Sequence, residues 1–164
     1  MVNTDDGKAL ESRPPTLSDL LTLCHALNNA KAKYIVVGGM AIIEAGFVRA
    51  TEDIDLLIEV SVENQKRVRS ALMKLPDRAV REMHDNDIEQ YMVVRVADEI
   101  VVDLMKCACG VEYDEAKQFI NIVEIKGVKI PFASPELLWK TKQTLREKDK
   151  LDLLFLKELL SKKK

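Results

Sequence analysis

The chain reads as an α+β (α/β) domain, a mixed β-sheet flanked by helices and followed by C-terminal helices. Three observations lead there. Short apolar runs of strand length alternate with helical segments in the order helix, strand, helix, strand, helix, strands, helices. The last stretch, from Ser134 onward, keeps helical spacing to the end. No internal repeat or low-complexity linker divides the 164 residues, a usual length for one domain. The polar start, residues 1–15, reads as a poorly ordered tail. Residues 16–164 read as one domain, with its core over 34–132 and its C-terminal helices over 134–164.

Each element has a local reason. Thr16 caps a first helix, with Asp19 as the capping-box acid. Leu17, Leu20, Leu21, Cys24 and Leu27 recur on one face of it. "YIVVGG" is a short apolar strand ending in two glycines, and "MAIIEAG" a short helix stopped by Gly46. "DIDLLIEV" is a second strand. "SVENQKRVRSALMKL" is an amphipathic helix capped by Ser61 and ended by Pro76. "QYMVVRVA" and "EIVVDLMK" are strands joined by a tight turn around Ala97-Asp98, and "YDEAKQFI" is a short helix. "INIVEIKGVKIPFA" gives a strand, a turn near Gly127 and another strand. Ser134 caps the next helix with Pro135 at its first position. "REKDKLDLLFLKELLSKKK" is the final helix, whose lysines suit the negative end of the helix dipole.

Composition narrows the function classes. No apolar run approaches the ~20 residues of a membrane span, and the start lacks the apolar core of a signal peptide. A cytoplasmic protein without membrane contact is expected. The net charge of −2 gives no global basic footprint for nucleic acid, and 5% aromatics argue against a broad base-stacking platform. A local basic groove near Lys140, Lys142, Arg146 and Lys148 remains. Cys107 and Cys109 lack two further zinc ligands at regular spacing, so the three cysteines read as buried or half-buried structural thiols.

Three features carry chemistry. Gly38-Gly39 stands at a strand-to-helix turn, where glycine lets backbone N–H groups approach an anion. Asp53 and Asp55 are i and i+2 on a strand, so both carboxylates face one side while Ile54 faces the core. Close carboxylates repel unless a proton or cation lies between them, and a divalent ion is the economical answer. Asp103 stands alone among Ile100, Val101, Val102, Leu104 and Met105, where burial of an unpaired acid is costly.

Together these residues resemble the nucleotidyltransferase superfamily. Val37-Gly38-Gly39, thirteen intervening residues, Asp53-Ile54-Asp55 and the later Asp103 follow its pattern. Arg49-x-Thr51-x-Asp53 looks like the lead-in of small bacterial members. Lys142, Arg146, Asp149 and Asp152 look like the helical signature of bacterial nucleotidyltransferases that include abortive-infection toxins. The likeness covers roughly residues 34 to 160. It implies transfer of a nucleoside monophosphate from a nucleoside triphosphate to a hydroxyl acceptor, such as an RNA 3′ end, a protein or a small molecule. Asp53 and Asp55 would hold Mg²⁺ or Mn²⁺. Asp103 would hold a second ion and help deprotonate the acceptor. Gly38 and Gly39 would cradle the phosphates, and Lys142 and Arg146 would neutralise them or grip the acceptor. A toxin role would add an antitoxin partner. Many relatives carry serine where this chain has Gly39, so backbone N–H groups and distant basic residues would replace that hydroxyl. Two other readings stand beside this one: a nucleotide-binding module without catalysis on the same fold, and an interaction module that oligomerises through its C-terminal helix.

Overall fold

The capping box at Thr16 forms. Its hydroxyl accepts from the Asp19 N–H at 3.3 Å, and the Asp19 carboxylate accepts from the Thr16 N–H at 2.7 Å. In the computed structural model, which describes residues 11–163, this cap opens α1 (Leu17–Asn29). The buried face of α1 is Leu20, Leu23, Cys24 and Leu27; Leu17 is half exposed and Leu23 takes the inner position. Residues 1–10 of the expected tail lie outside the described residues. Over 11–15 the chain is tied down: Ser12 donates to the Asp98 carbonyl at 2.6 Å, the Arg13 N–H to the Glu99 carbonyl at 2.9 Å, and the Arg13 guanidinium pairs with Asp19 at 2.7 Å.

The next elements are β1 (Tyr34–Val37), α2 (Gly38–Glu44), β2 (Asp53–Ile58) and α3 (Val62–Leu72), the last capped by Ser61. Both glycines belong to the start of α2 rather than to the strand, with Val37 as N-cap. A 3₁₀ turn (Ala79–Glu82) and α4 (Asp87–Tyr91) follow, neither of them expected. Both are set by contacts distant in sequence. Buried Asp98 accepts from the N–H groups of Asp77 and Ala79, and Gln65 on α3 accepts from the N–H of Ile88. The expected strand from Gln90 is therefore shortened to β3 (Val93–Ala97), which turns at Asp98 into β4 (Val101–Met105).

A small hairpin, β5 (Cys107–Ala108) and β6 (Val111–Glu112), precedes α5 (Tyr113–Ala116). Then come β7 (Ile120–Ile125), β8 (Val128–Ala133), α6 (Pro135–Thr141) and α7 (Glu147–Ser161). Ser134 caps α6 as expected, and Arg146 is the N-cap of α7, so the helix breaks between Lys142 and Arg146.

Six strands form a mixed sheet in the order β3-β4-β2-β1-β8-β7. β1 runs antiparallel to β2, while β2–β4 and β1–β8 are parallel. The central strands β1 and β2 carry the core, with Ile35, Val36, Ile54, Leu56, Leu57 and Ile58 almost wholly buried. Each such side chain contributes roughly 1.5–3 kcal/mol. α1 packs on α3 and β8, α2 on β1, β2 and α6, and α6 on α7. Among the described residues no helix is long and apolar enough to cross a membrane.

Candidate active site

The register of the sheet assembles the aspartates. In the parallel β2–β4 pair Asp55 lies opposite Asp103, and Asp53, two residues earlier, faces the same side. Ligand oxygens of Asp53, Asp55 and Asp103 all lie within 4.8 Å of one another. Ile54, Val102 and Leu104 turn the other way and are fully buried. The alternation that fills the core with aliphatic side chains thus drives three acids to one spot.

That proximity, added to burial, raises two of the three carboxyls. Burial, then the charges of Asp53 and Asp103, pushes the Asp55 carboxyl up to about 7. Burial and the Asp103 charge also raise Asp53. Arg95 on β3, opposite Asp103 in the antiparallel pair, was not singled out by the sequence reading. Its Nε and one terminal nitrogen each lie 2.9 Å from the two oxygens of Asp103, and that same terminal nitrogen is 3.3 Å from Asp53. The signal for it was period two: Val93, Arg95 and Ala97 share the face that carries Asp103 across the ladder.

Gly38 closes the site from above. Its φ of +67° is the left-handed region that glycine enters freely. A Cβ there would strike the Asp55 carboxylate. At Gly39 a Cβ would meet the Thr51 hydroxyl and come within 3.2 Å of Arg49. The space a serine would need is filled by the lead-in segment of β2.

The cleft has two lobes meeting at Asp53, Asp55, Lys142, Arg146 and Lys148. One, of about 300 Å³, is bounded by Gly38, Val93, Met105, Ala108 and Cys109. The other, of about 270 Å³, is bounded by Gly39, Arg49 and Thr51. Lys142 and Arg146 both line the cleft, but they differ. Lys142 is only 5% exposed, and its ammonium sits 3.2 Å from Asp149 and 2.9 Å from Asp152. Arg146 is largely exposed and reaches Asp149 at 2.8 Å. Burial opposes the charge on Asp149, but hydrogen bonds from Thr144 and Arg146 and the Lys142 charge outweigh it and hold the carboxyl below its ordinary value. A terminal nitrogen of Arg49 donates to one Asp152 oxygen at 2.9 Å, and its Nε lies 2.9 Å from the other. Lys140 does not join the cleft; it lies over the Phe119 ring and near Glu115. Nor is Cys109 buried as expected. It is exposed at the rim, where its thiol donates to the Thr141 carbonyl.

Comparison with known proteins places the fold and the family. The structure is similar to that of a candidate nucleotidyltransferase from Thermotoga maritima (TM-score 0.54, 18% identity, 89% of this chain and 92% of that chain). It is also similar to an antigenic nucleotidyltransferase-like protein from Paracoccidioides brasiliensis (TM-score 0.55, 19% identity, 89% and 78%). At these identities the likeness shows the fold. Among curated proteins none matches. Residues 16–154 match the family described as "Nucleotidyltransferase of unknown function (DUF6036)", and the chain belongs to that family.

Proposed function

We propose that this protein is a metal-dependent nucleotidyltransferase that moves a nucleoside monophosphate from a nucleoside triphosphate to a hydroxyl acceptor, with pyrophosphate as the leaving group. The observation that supports it most is the meeting of Asp53, Asp55 and Asp103 within 4.8 Å beneath the Gly38 turn. The donor set suits Mg²⁺ or Mn²⁺: hard carboxylate oxygens, with the remaining ligands left to phosphates and water. The guanidinium lying across Asp103 and Asp53, and the mutual repulsion that adds to burial in raising Asp53 and Asp55, support a cation at this cluster.

Asp53 and Asp55 would hold one ion and Asp103 a second. Bound there, the ions would supply Lewis-acid stabilisation of charge on the transferring phosphoryl group. The chain's own groups do the rest. The N–H groups at Gly38 and Gly39 donate to phosphate oxygens at the start of α2. Arg146 and Lys148 neutralise the triphosphate at the mouth. Asp103 takes the proton of the acceptor hydroxyl. Lys142 acts from behind, locking Asp149 and Asp152 so that α7 stands at the cleft.

The test is incubation with each labelled nucleoside triphosphate, Mg²⁺ or Mn²⁺ and a cell lysate. Transfer of label to one class of acceptor, abolished in Asp53→Asn, is expected. Label transfer that persists in Asp53→Asn overturns the assignment. A toxin role belongs to the same proposal: induced expression would arrest growth, and Asp53→Asn would relieve it.

A further inference from the structure

Arg95 competes for the position that a cation would take. Both oxygens of Asp103 are engaged by one guanidinium in a fork, and the same group reaches Asp53. Such bidentate pairs are among the stronger ion contacts. A divalent ion arriving at Asp103 would meet a fixed positive charge about 3 Å from the oxygens it needs, and like charges at that range repel strongly in a half-buried site. The guanidinium is free to leave, however. Its side chain is 61% exposed and stands on the edge strand β3, so moving it opens no hole in the core. Three carboxylates and one guanidinium leave the cluster with two negative charges when all are ionised, enough for one divalent ion. A second ion needs more negative charge, which a triphosphate brings. Phosphate is also a better partner for the released guanidinium, because its oxygens match the planar fork.

Building on the metal-dependent reading above, we propose that Arg95 is an internal counter-cation for Asp103 and Asp53 that moves onto the triphosphate as it binds. Divalent ion and nucleotide then bind in a mutually dependent way, and the free protein keeps its metal affinity low. By linkage, the factor by which nucleotide tightens metal binding equals the factor by which metal tightens nucleotide binding.

The test is Mn²⁺ binding, followed by electron paramagnetic resonance, to wild type, Arg95→Ala and Arg95→Gln. Each protein is measured alone and with a mixture of α,β-methylene nucleoside triphosphate analogues. Glutamine keeps most of the stem and removes the charge. Without analogue, both variants are expected to bind Mn²⁺ roughly five-fold tighter than wild type, the scale of a partly exposed ion pair. The analogue should tighten Mn²⁺ binding more in wild type than in either variant. Equal Mn²⁺ affinity of variants and wild type without analogue, with the analogue still tightening all three, overturns the role of Arg95 and leaves the metal site standing. No Mn²⁺ binding by any of the three, even with analogue, removes the metal-dependent reading and this proposal with it.

Discussion

A carboxyl that holds its proton near neutrality makes the metal-free protein sensitive to pH. Asp55 ordinarily titrates at 3.8 and is pushed up to about 7 by burial first and then by Asp53 and Asp103. Between those values the folded chain holds a proton that the unfolded chain has lost. Stability therefore falls as pH rises through that window and levels off above it. Asp55→Asn keeps the shape and removes the charge, so it is expected to raise stability at pH 8 by roughly 2 kcal/mol or more, with a smaller gain at pH 5. Thermal melts in a chelator at both pH values measure this, and an equal gain at both would show that the charge on Asp55 is not the cause. Gly38 gives a second test at the same spot. Alanine there must keep φ at +67° and drives its Cβ onto the Asp55 carboxylate. The backbone part alone costs about 1–2 kcal/mol. Gly38→Ala is expected to lower the melting temperature in chelator and to weaken Mn²⁺ binding, because Asp55 has to move. Unchanged Mn²⁺ affinity would mean that Asp55 relaxes without leaving the cluster.

Among the elements, α7 departs most from a simple amphipathic helix. Its buried positions are Asp149, Asp152 and Leu156, so two acids stand where aliphatic residues usually do, while Leu151 and Leu154 are exposed. The acids are inside because the cations Lys142 and Arg49 come from elsewhere to meet them. Phe155 adds a stacked contact with Phe47, ring centroids 5.1 Å apart, on the chain leading to β2. Removing one partner from a buried ion cluster strands the others, at a cost of about 3–5 kcal/mol. Asp152→Asn is expected to reach that range, because it leaves the nearly buried Lys142 and the Arg49 side chain without their shared charge. Chemical denaturation measures it. A loss below about 1 kcal/mol would show that the remaining charges rearrange to compensate.

Over the whole molecule, what could be read from the sequence is what local chemistry decides. The caps at Thr16, Ser61 and Ser134 and the alternation around Asp53 and Asp55 are neighbour effects, and each gives its element directly. Arg95 escaped because its meaning depends on β3 pairing with β4 in one register, and α4 because it is fixed by Gln65 from another helix. The basic residues show the same limit. The sequence singles out Lys142 and Arg146 for the phosphates and leaves Lys148 as one member of a basic groove, but folding commits Lys142 to Asp149 and Asp152, whereas Lys148 is exposed with no ion-pair partner among the described residues. Its charge nevertheless reaches Asp53 and Asp55, and it lines both lobes of the cleft. A chain of net charge −2 repels a triphosphate at long range, so attraction has to come from such local cations at the mouth. Lys148→Ala is therefore expected to weaken nucleotide binding by about 1 kcal/mol, roughly five-fold at low salt, and by less as salt screens the contact. Its melting temperature should match wild type. Lys142→Ala should instead lose stability, which would confound any affinity measured with it. Calorimetric titration of Lys148→Ala with nucleotide at two ionic strengths, with Lys162→Ala as a control outside the cleft, decides the matter. Equal affinity in both variants would show that Lys148 stays clear of the phosphates and leave Arg146 to neutralise them.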